Sequence, residues 1–407
     1  MKNVIVGQSG GPTAVINSSL VGVYETAKSL GVPQVYGMQY GIEGLLDWLV
    51  VDLSTQIRSE VEAELLKRTP SSFLGSCRYK LPEIGENDEI YETIFARLAE
   101  LDIGYFIYIG GNDSMDTIEK MSAYARMTGS DLCCIGVPKT IDNDLAVTDH
   151  TPGFGSAAKY IGIVMKEIVR DSLVYNLKSV TVVEIMGRNA GWLTGAAALA
   201  KGADCSGADI ICLPETPFDL DAFVESVRTL QAKRGNLVIA VSEGIRLADG
   251  RYVCELAGEA ATHDVFGHKN LTGAGKFLAG VISDRVGCKT RAIELNTLQR
   301  CSAHVASRTD ITEAYQAGGA AAMAAVRDSE SGKMVVLRRL STRPYLCVTG
   351  LADIGEIANQ EKLVPREWIT EDGFGVTDEF VRYVYPLIQA ELTPVYIGGL
   401  PRHIALN

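Results

Sequence analysis

The sequence predicts an α/β protein of two domains built on open parallel sheets. Three observations lead there. Short apolar runs alternate with amphipathic helical patterns along most of the chain. Two of those runs, Tyr105 to Ile109 and Leu132 to Val137, deliver polar clusters at their carboxyl ends, where open parallel sheets bind ligands. At 407 residues the chain also exceeds what one hydrophobic core ordinarily supports.

The composition is that of an ordinary globular protein, 47% hydrophobic and 22% charged. No apolar run reaches the roughly 18 residues that a membrane span needs, so no membrane role is expected. The formal charge is −12 with no cluster of Lys and Arg, which argues against a nucleic-acid partner. Nine cysteines are scattered without a Cys-x-x-Cys pair. Their odd number and spacing favour reduced thiols over disulfides or zinc, as in a cytoplasmic protein. Met1 to Val6 runs directly into a strand, so no signal peptide is expected.

In order, Val4 to Val6 reads as a strand, Gln8 to Thr13 as a turn and Ala14 to Leu30 as a helix. Gly10 and Gly11 in that turn let the backbone approach an anion, and a following helix presents unpaired N–H groups to it. No Gly-x-Gly-x-x-Gly or Walker pattern occurs, which excludes both common nucleotide fingerprints. Thr55 to Arg68 is charged and amphipathic, a surface helix. Tyr105 to Ile109 breaks at Gly110-Gly111-Asn112-Asp113-Ser114 before a helix from Met115 to Tyr124. Leu132 to Val137 ends in Pro138-Lys139-Thr140-Ile141-Asp142-Asn143-Asp144. A long helix follows Gly153, running to about Leu173. Strands at Ser179 to Ile185, Asp209 to Leu213 and Leu237 to Val241 end in Met186-Gly187-Arg188, Pro214-Glu215 and Ser242-Glu243-Gly244. Ala196 to Ala200 and Thr312 to Val326 read as small-residue helices, Met334 to Leu340 as a strand, and 344–407 as mixed helix and loop.

At the two polar clusters the chain resembles the phosphofructokinase family. Gly110-Gly111-Asn112-Asp113-Ser114 is similar to its Gly-Gly-Asp-x-Ser turn, and Pro138 to Asp144 to its catalytic Pro-x-Thr-Ile-Asp-Asn-Asp loop. Asp113 after the metal position, and Lys139 where ATP users usually carry glycine, resemble the branch using inorganic pyrophosphate. The resemblance implies two Rossmann-like three-layer α/β/α domains with the active site between them. The phosphoryl-donor domain is expected at 1–150 plus about 300–345, the sugar-phosphate domain at about 151–299 plus about 346–407. It also implies a homodimer or homotetramer, the substrates pyrophosphate and fructose 6-phosphate, and Mg²⁺.

Residue by residue, the resemblance assigns the donor to Gly10, Gly11, Arg78, Gly111, Asp113, Ser114 and Lys139. It assigns the sugar phosphate to Thr140, Ile141, Asp142, Met186, Gly187, Arg188, Glu243, Arg291, Thr297 and Arg300. In many ATP-using members a histidine stands at the place of Thr297. The metal falls to Asn112, Asp113 and Asp144, Asn112 standing where the family has aspartate.

The residue types suit that chemistry. Phosphoryl transfer needs charge neutralisation, alignment and a base for the hydroxyl proton. Asp142, two residues from Asp144 at a strand end, is the candidate base, with Lys139 and Arg188 beside it as catalytic cations. Paired carboxylates push one pKa upward. Asp113 would occupy the room of a nucleotide's α-phosphate and repel it, while Lys139 would stabilise charge on the leaving phosphate. The implied reaction moves a phosphoryl group from pyrophosphate to the 1-hydroxyl of fructose 6-phosphate, reversibly, as a step of glycolysis. The alternatives are an ATP-dependent 6-phosphofructokinase and a catalytically silent regulatory subunit of the same fold. A silent subunit would have lost Asp142 or the phosphate arginines, all of which this chain keeps.

Overall fold

The computed structural model describes residues 1–174, 176–257, 271 and 273–406. Among the described residues eleven strands build the two main sheets, beside a two-stranded ribbon of Tyr396–Ile397 and Leu400–Pro401: β1 (Asn3–Gln8), β2 (Val35–Met38), β3 (Val50–Asp52), β4 (Ile103–Gly110), β5 (Cys133–Pro138), β6 (Ser179–Ile185), β7 (Ile210–Cys212), β8 (Asn236–Ser242), β9 (Lys289–Glu294), β10 (Lys333–Thr342) and β11 (Tyr345–Asp353). The larger sheet has the order β11-β10-β5-β4-β1-β2-β3 and the smaller β7-β8-β6-β9. Strands β2, β1, β4, β5 and β10 run parallel, with Ile5 opposite Phe106 and Ile107 opposite Ile135. The smaller sheet is parallel throughout. Central strands such as β4 are buried on both faces, so they read as unbroken apolar runs rather than alternations.

Helices cover both faces of the larger sheet. Ile16–Ser29 and Arg308–Val326 pack on one face through Leu20, Val23, Ala317 and Ala321. Tyr91, Ile94, Ile118 and Met121 fill the other. The alanine-rich sequence of Arg308–Val326 follows from how closely these two helices cross. A Cβ on Gly22 would lie 2.1 Å from the Tyr315 carbonyl oxygen, so only glycine fits. The smaller sheet has its own cores, one around Phe154, Trp192, Phe380 and Leu387, the other around Phe223, Val227, Leu278 and Ile282.

Three elements differ from the sequence reading. Thr55 to Arg68 is two short helices, Leu53–Gln56 and Glu60–Lys67. Ile57 turns inward between them, and Ser59 restarts the helix by accepting from Glu62 N–H (3.2 Å) while Glu62 accepts from Arg58 N–H (2.8 Å). Ala196–Ala200 is a 3₁₀ helix. Residues 345–353, read as helix and loop and, from about 346, placed with the sugar-phosphate half, form β11, antiparallel to β10 in the larger sheet. The hairpin turn at Arg343-Pro344 keeps those two strands together, so a boundary at 345 would cut a paired ribbon. All nine cysteines are free thiols. Among the described residues no helix is long and apolar enough to cross a membrane.

Candidate active site

The carboxyl ends of β1, β4 and β5 from one sheet, and of β6 and β8 from the other, face a common cleft of about 690 Å³. Gly10, Gly11, Arg78, Gly111, Asn112, Asp113, Ser114, Lys139, Thr140, Ile141, Asp142, Asp144, Met186, Arg188, Glu243 and Arg300 all line it.

The glycine turn after β1 is held from both sides. Gly10 takes a φ of +74°, in the left-handed region that side chains resist. Its carbonyl accepts from Ser76 Oγ (2.6 Å) and its N–H donates to the Cys77 carbonyl (3.1 Å), which brings Arg78 beside the turn. Lys139, at the end of β5, donates from Nζ to the Gly11 carbonyl (2.6 Å). It is only 2% exposed, and burial pulls its ammonium down to about 8 against the attraction of Asp142 and Asp144. Gly111 precedes the helix Asn112–Thr128, whose first residues, Asn112 to Ser114, line the cleft.

Asp142 sits among opposing charges. Burial first, and Asp144 second, push its carboxyl up to about 7, while Lys139, Arg188 and Arg300 pull the other way. Burial also raises Asp144, whose Oδ1 is buried without a protein hydrogen-bond partner. Across the cleft, burial and then Asp142 raise Glu243 to about 8, so near neutral pH it is largely a protonated carboxyl. Arg300 is lowered by burial and by the neighbouring Arg78. Lys139, Arg188 and Arg300 thus gather around Asp142, a concentration of positive charge that suits an anionic ligand.

Some assignments land elsewhere. Gly187 backs the cleft, its N–H donating to Glu243 Oε1 (3.4 Å) and its carbonyl accepting from Ser242 Oγ (2.5 Å). Arg291 does not line the cleft. It is exposed on edge strand β9, 3.8 Å from Asp171, beside a second cavity of about 490 Å³. Thr297 is exposed at the start of the one-turn helix Leu298–Cys301 and does not line the cleft either. The Asn112 amide is already engaged, accepting from Asn359 N–H (2.7 Å) and donating to the Gln360 carbonyl (2.8 Å). It is a tether and is poorly placed to hold a metal.

The sequence reading missed Ser9, Pro12, Asn189, Ala190, Asn359 and Glu361, which complete the lining. Asn189 and Ala190 directly follow Met186-Gly187-Arg188, so the same strand end delivers them to the cleft. Gln299, beside Arg300, supports the site from behind: its Oε1 accepts from Met186 N–H (3.3 Å) and steadies that turn.

A family model, "Phosphofructokinase", matches residues 3–325. The chain belongs to the phosphofructokinase family. Among its relatives, the pyrophosphate–fructose 6-phosphate 1-phosphotransferase of Methylococcus capsulatus is 41% identical over 100% of this chain and 96% of its own. The protein of the same name from Halomonas elongata is 40% identical over 98% of this chain and 95% of its own. The crystal structure of a pyrophosphate-dependent phosphofructokinase from Nitrosospira multiformis superimposes with a TM-score of 0.89 at 37% identity, covering 99% of this chain and 96% of that one. The two-sheet α/β architecture is thus the phosphofructokinase fold.

Proposed function

We propose that this phosphofructokinase transfers a phosphoryl group from pyrophosphate to the 1-hydroxyl of fructose 6-phosphate, giving fructose 1,6-bisphosphate and orthophosphate, as a reversible step of glycolysis. The single observation that carries the donor choice is Asp113 on the cleft wall together with buried Lys139 on the Gly10–Gly11 turn. A nucleotide would set its α-phosphate against a carboxylate, whereas a diphosphate is short enough to stop before it. Relatives bearing this activity in their names match the chain end to end, which supports the same reading.

In this reading Asp142 accepts the proton of the 1-hydroxyl as its oxygen attacks the transferring phosphorus. The bond from that phosphorus to the bridging oxygen breaks, and Lys139 stabilises the charge left on the departing phosphate. Arg78 aligns the donor and the transferring group, and Arg188 and Arg300 the sugar phosphate, while protonated Glu243 hydrogen-bonds a sugar hydroxyl. The half built on the larger sheet would hold the donor and the half built on the smaller sheet the sugar phosphate. Supporting this division, Gly10, Arg78 and Asp113 come from the first and Met186, Arg188 and Glu243 from the second.

Family enzymes generally use a divalent metal, and the residues here fit one. The unpartnered Asp144 Oδ1 and the Asp113 carboxylate offer the hard oxygens that Mg²⁺ prefers. Asp113 and Asp144 would hold Mg²⁺ with donor oxygens and water, and the ion would neutralise phosphate charge. We further propose a cytoplasmic homodimer or homotetramer, for which the exposed Arg291 on edge strand β9 would be available at a subunit contact.

A donor panel tests the reading. Purified protein with Mg²⁺ and fructose 6-phosphate should release orthophosphate from pyrophosphate and show little turnover with ATP. Turnover with ATP and none with pyrophosphate would overturn the donor assignment.

A further inference from the structure

The loop carrying Asp142 is held by residues from outside the region matched by the family model. Asn143, between the two carboxylates, is wholly buried and adopts a φ of +55°, a conformation that must be held from outside. Three hydrogen bonds hold it. Asn143 Oδ1 accepts from Thr151 N–H (3.1 Å) and from Lys362 Nζ (3.3 Å), and Nδ2 donates to Tyr383 Oη (2.9 Å). Lys362 Nζ also donates to the carbonyls of Asp149 (2.7 Å) and Thr148 (3.2 Å), and the Tyr383 hydroxyl donates to the same Asp149 carbonyl (2.5 Å). The Lys362 N–H completes the grip on the Asp144 carbonyl (2.7 Å). All three ammonium protons of Lys362 thus meet oxygens, 5.3 Å from the Trp192 ring centre.

Lys362 is the centre of a short strap, 359–364, that bonds to the donor-side helix, the sugar-side turn and the loop between them. Asn359 and Gln360 engage Asn112 at the start of the donor-side helix. Glu361 accepts from Asn189 Nδ2 (2.7 Å) beside the Met186-Gly187-Arg188 turn. The Lys362 carbonyl accepts from Trp192 Nε1 (2.9 Å), and Val364 N–H and Gly191 N–H share Glu215 Oε1 (3.0 and 2.8 Å). A segment bonded at once to the donor side, the sugar side and the loop between them sets their mutual geometry.

We propose that Lys362 and Tyr383 are positioning residues that hold the Asp142–Asp144 loop, through Asn143, in register with both substrates. Neither residue touches the reacting atoms. The proposal rests on the reading of Asp142 as the base. Both residues lie beyond residue 325, where the family match ends.

The test compares Lys362→Met and Tyr383→Phe with wild type in steady-state kinetics, after checking melting temperature and fructose 6-phosphate binding. A misplaced loop slows chemistry without weakening ground-state binding. Lys362→Met should therefore lose about 100-fold in kcat, and Tyr383→Phe about tenfold, with both KM values within about threefold of wild type. A folded variant with wild-type kcat, or a loss confined to KM, overturns the proposal. Tyr383→Phe, which removes one hydroxyl and keeps the ring packing, decides the matter alone if Lys362→Met does not fold. Wild type is assayed first: turnover with ATP in place of pyrophosphate defeats the donor assignment but leaves this test to run with ATP. No turnover with either donor defeats both.

Discussion

Two buried clusters of ionisable groups lie close together in this molecule and are resolved in opposite ways. Around His150 nearly every charge is matched. His150 Nδ1 bonds Asp149 Oδ1 (2.8 Å) and Nε2 bonds Glu313 Oε2 (2.7 Å), Tyr345 donates to Glu313 Oε1 (2.6 Å), and Arg339 pairs with Asp149 (2.8 Å). Burial alone would lower His150, yet its two carboxylate partners raise it above its ordinary value. Burial likewise works to raise Asp149, but His150 and Arg339 bring it below the usual carboxylate range. Cys347 lies beside His150 and Glu313, a grouping that could suggest a metal. Both imidazole nitrogens are already spent on carboxylates, so this is a structural clamp. In the cleft the balance is left open: Asp142 and Asp144 repel each other, and Asp144 Oδ1 is buried with no protein hydrogen-bond partner. Matched charges hold a fold together, and unmatched ones await a ligand.

The two clusters should therefore fail differently. Asp142→Asn should cost about 1,000-fold in kcat, the scale of a general base, while sparing sugar-phosphate binding. In wild type kcat/KM should rise with pH through about 7, as Asp142 loses its proton, and the variant should lack that limb. Because its folded pKa lies above the unfolded value, ionised Asp142 costs stability. That cost grows from the unfolded carboxylate range up to about pH 7 and persists above it. The asparagine variant should melt no lower than wild type at pH 8, and a lower melting temperature would contradict this view of the cleft. His150→Gln should do the reverse. It leaves buried Glu313 without its cationic partner, with only the Tyr345 hydroxyl remaining, and should remove about 3 kcal/mol from unfolding in denaturant. The His150 contribution is full below the unfolded histidine pKa and fades as pH rises through the raised folded value. A loss that does not shrink at alkaline pH would show that the clamp is not ionic.

The same contrast explains what could be read from the sequence. The parallel strands were legible because burial on both faces leaves continuous apolar runs, as in β4 and β5. The catalytic loop and the Met186-Gly187-Arg188 turn were legible because their backbone shape demands particular residues in order. The strap was not: Asn359, Glu361 and Lys362 have no periodicity, and only the return of β11 along the larger sheet delivers them to the cleft. Asn112 was misjudged because an amide at a metal position and an amide tethering a loop look identical until Asn359 and Gln360 are placed. Arg291 matches its motif, but β9 points it away from the cleft of its own chain, which a linear match cannot reveal.

The central claim is that Asp113 on the cleft wall keeps nucleotides out while Lys139 serves a short donor. The most direct measurement is kcat/KM for ATP and for pyrophosphate in Asp113→Gly beside wild type. Opening that wall should raise ATP use by about tenfold, roughly 1.4 kcal/mol of relieved repulsion, and should not improve the use of pyrophosphate. An unchanged response to ATP in a folded, pyrophosphate-active variant would contradict the account.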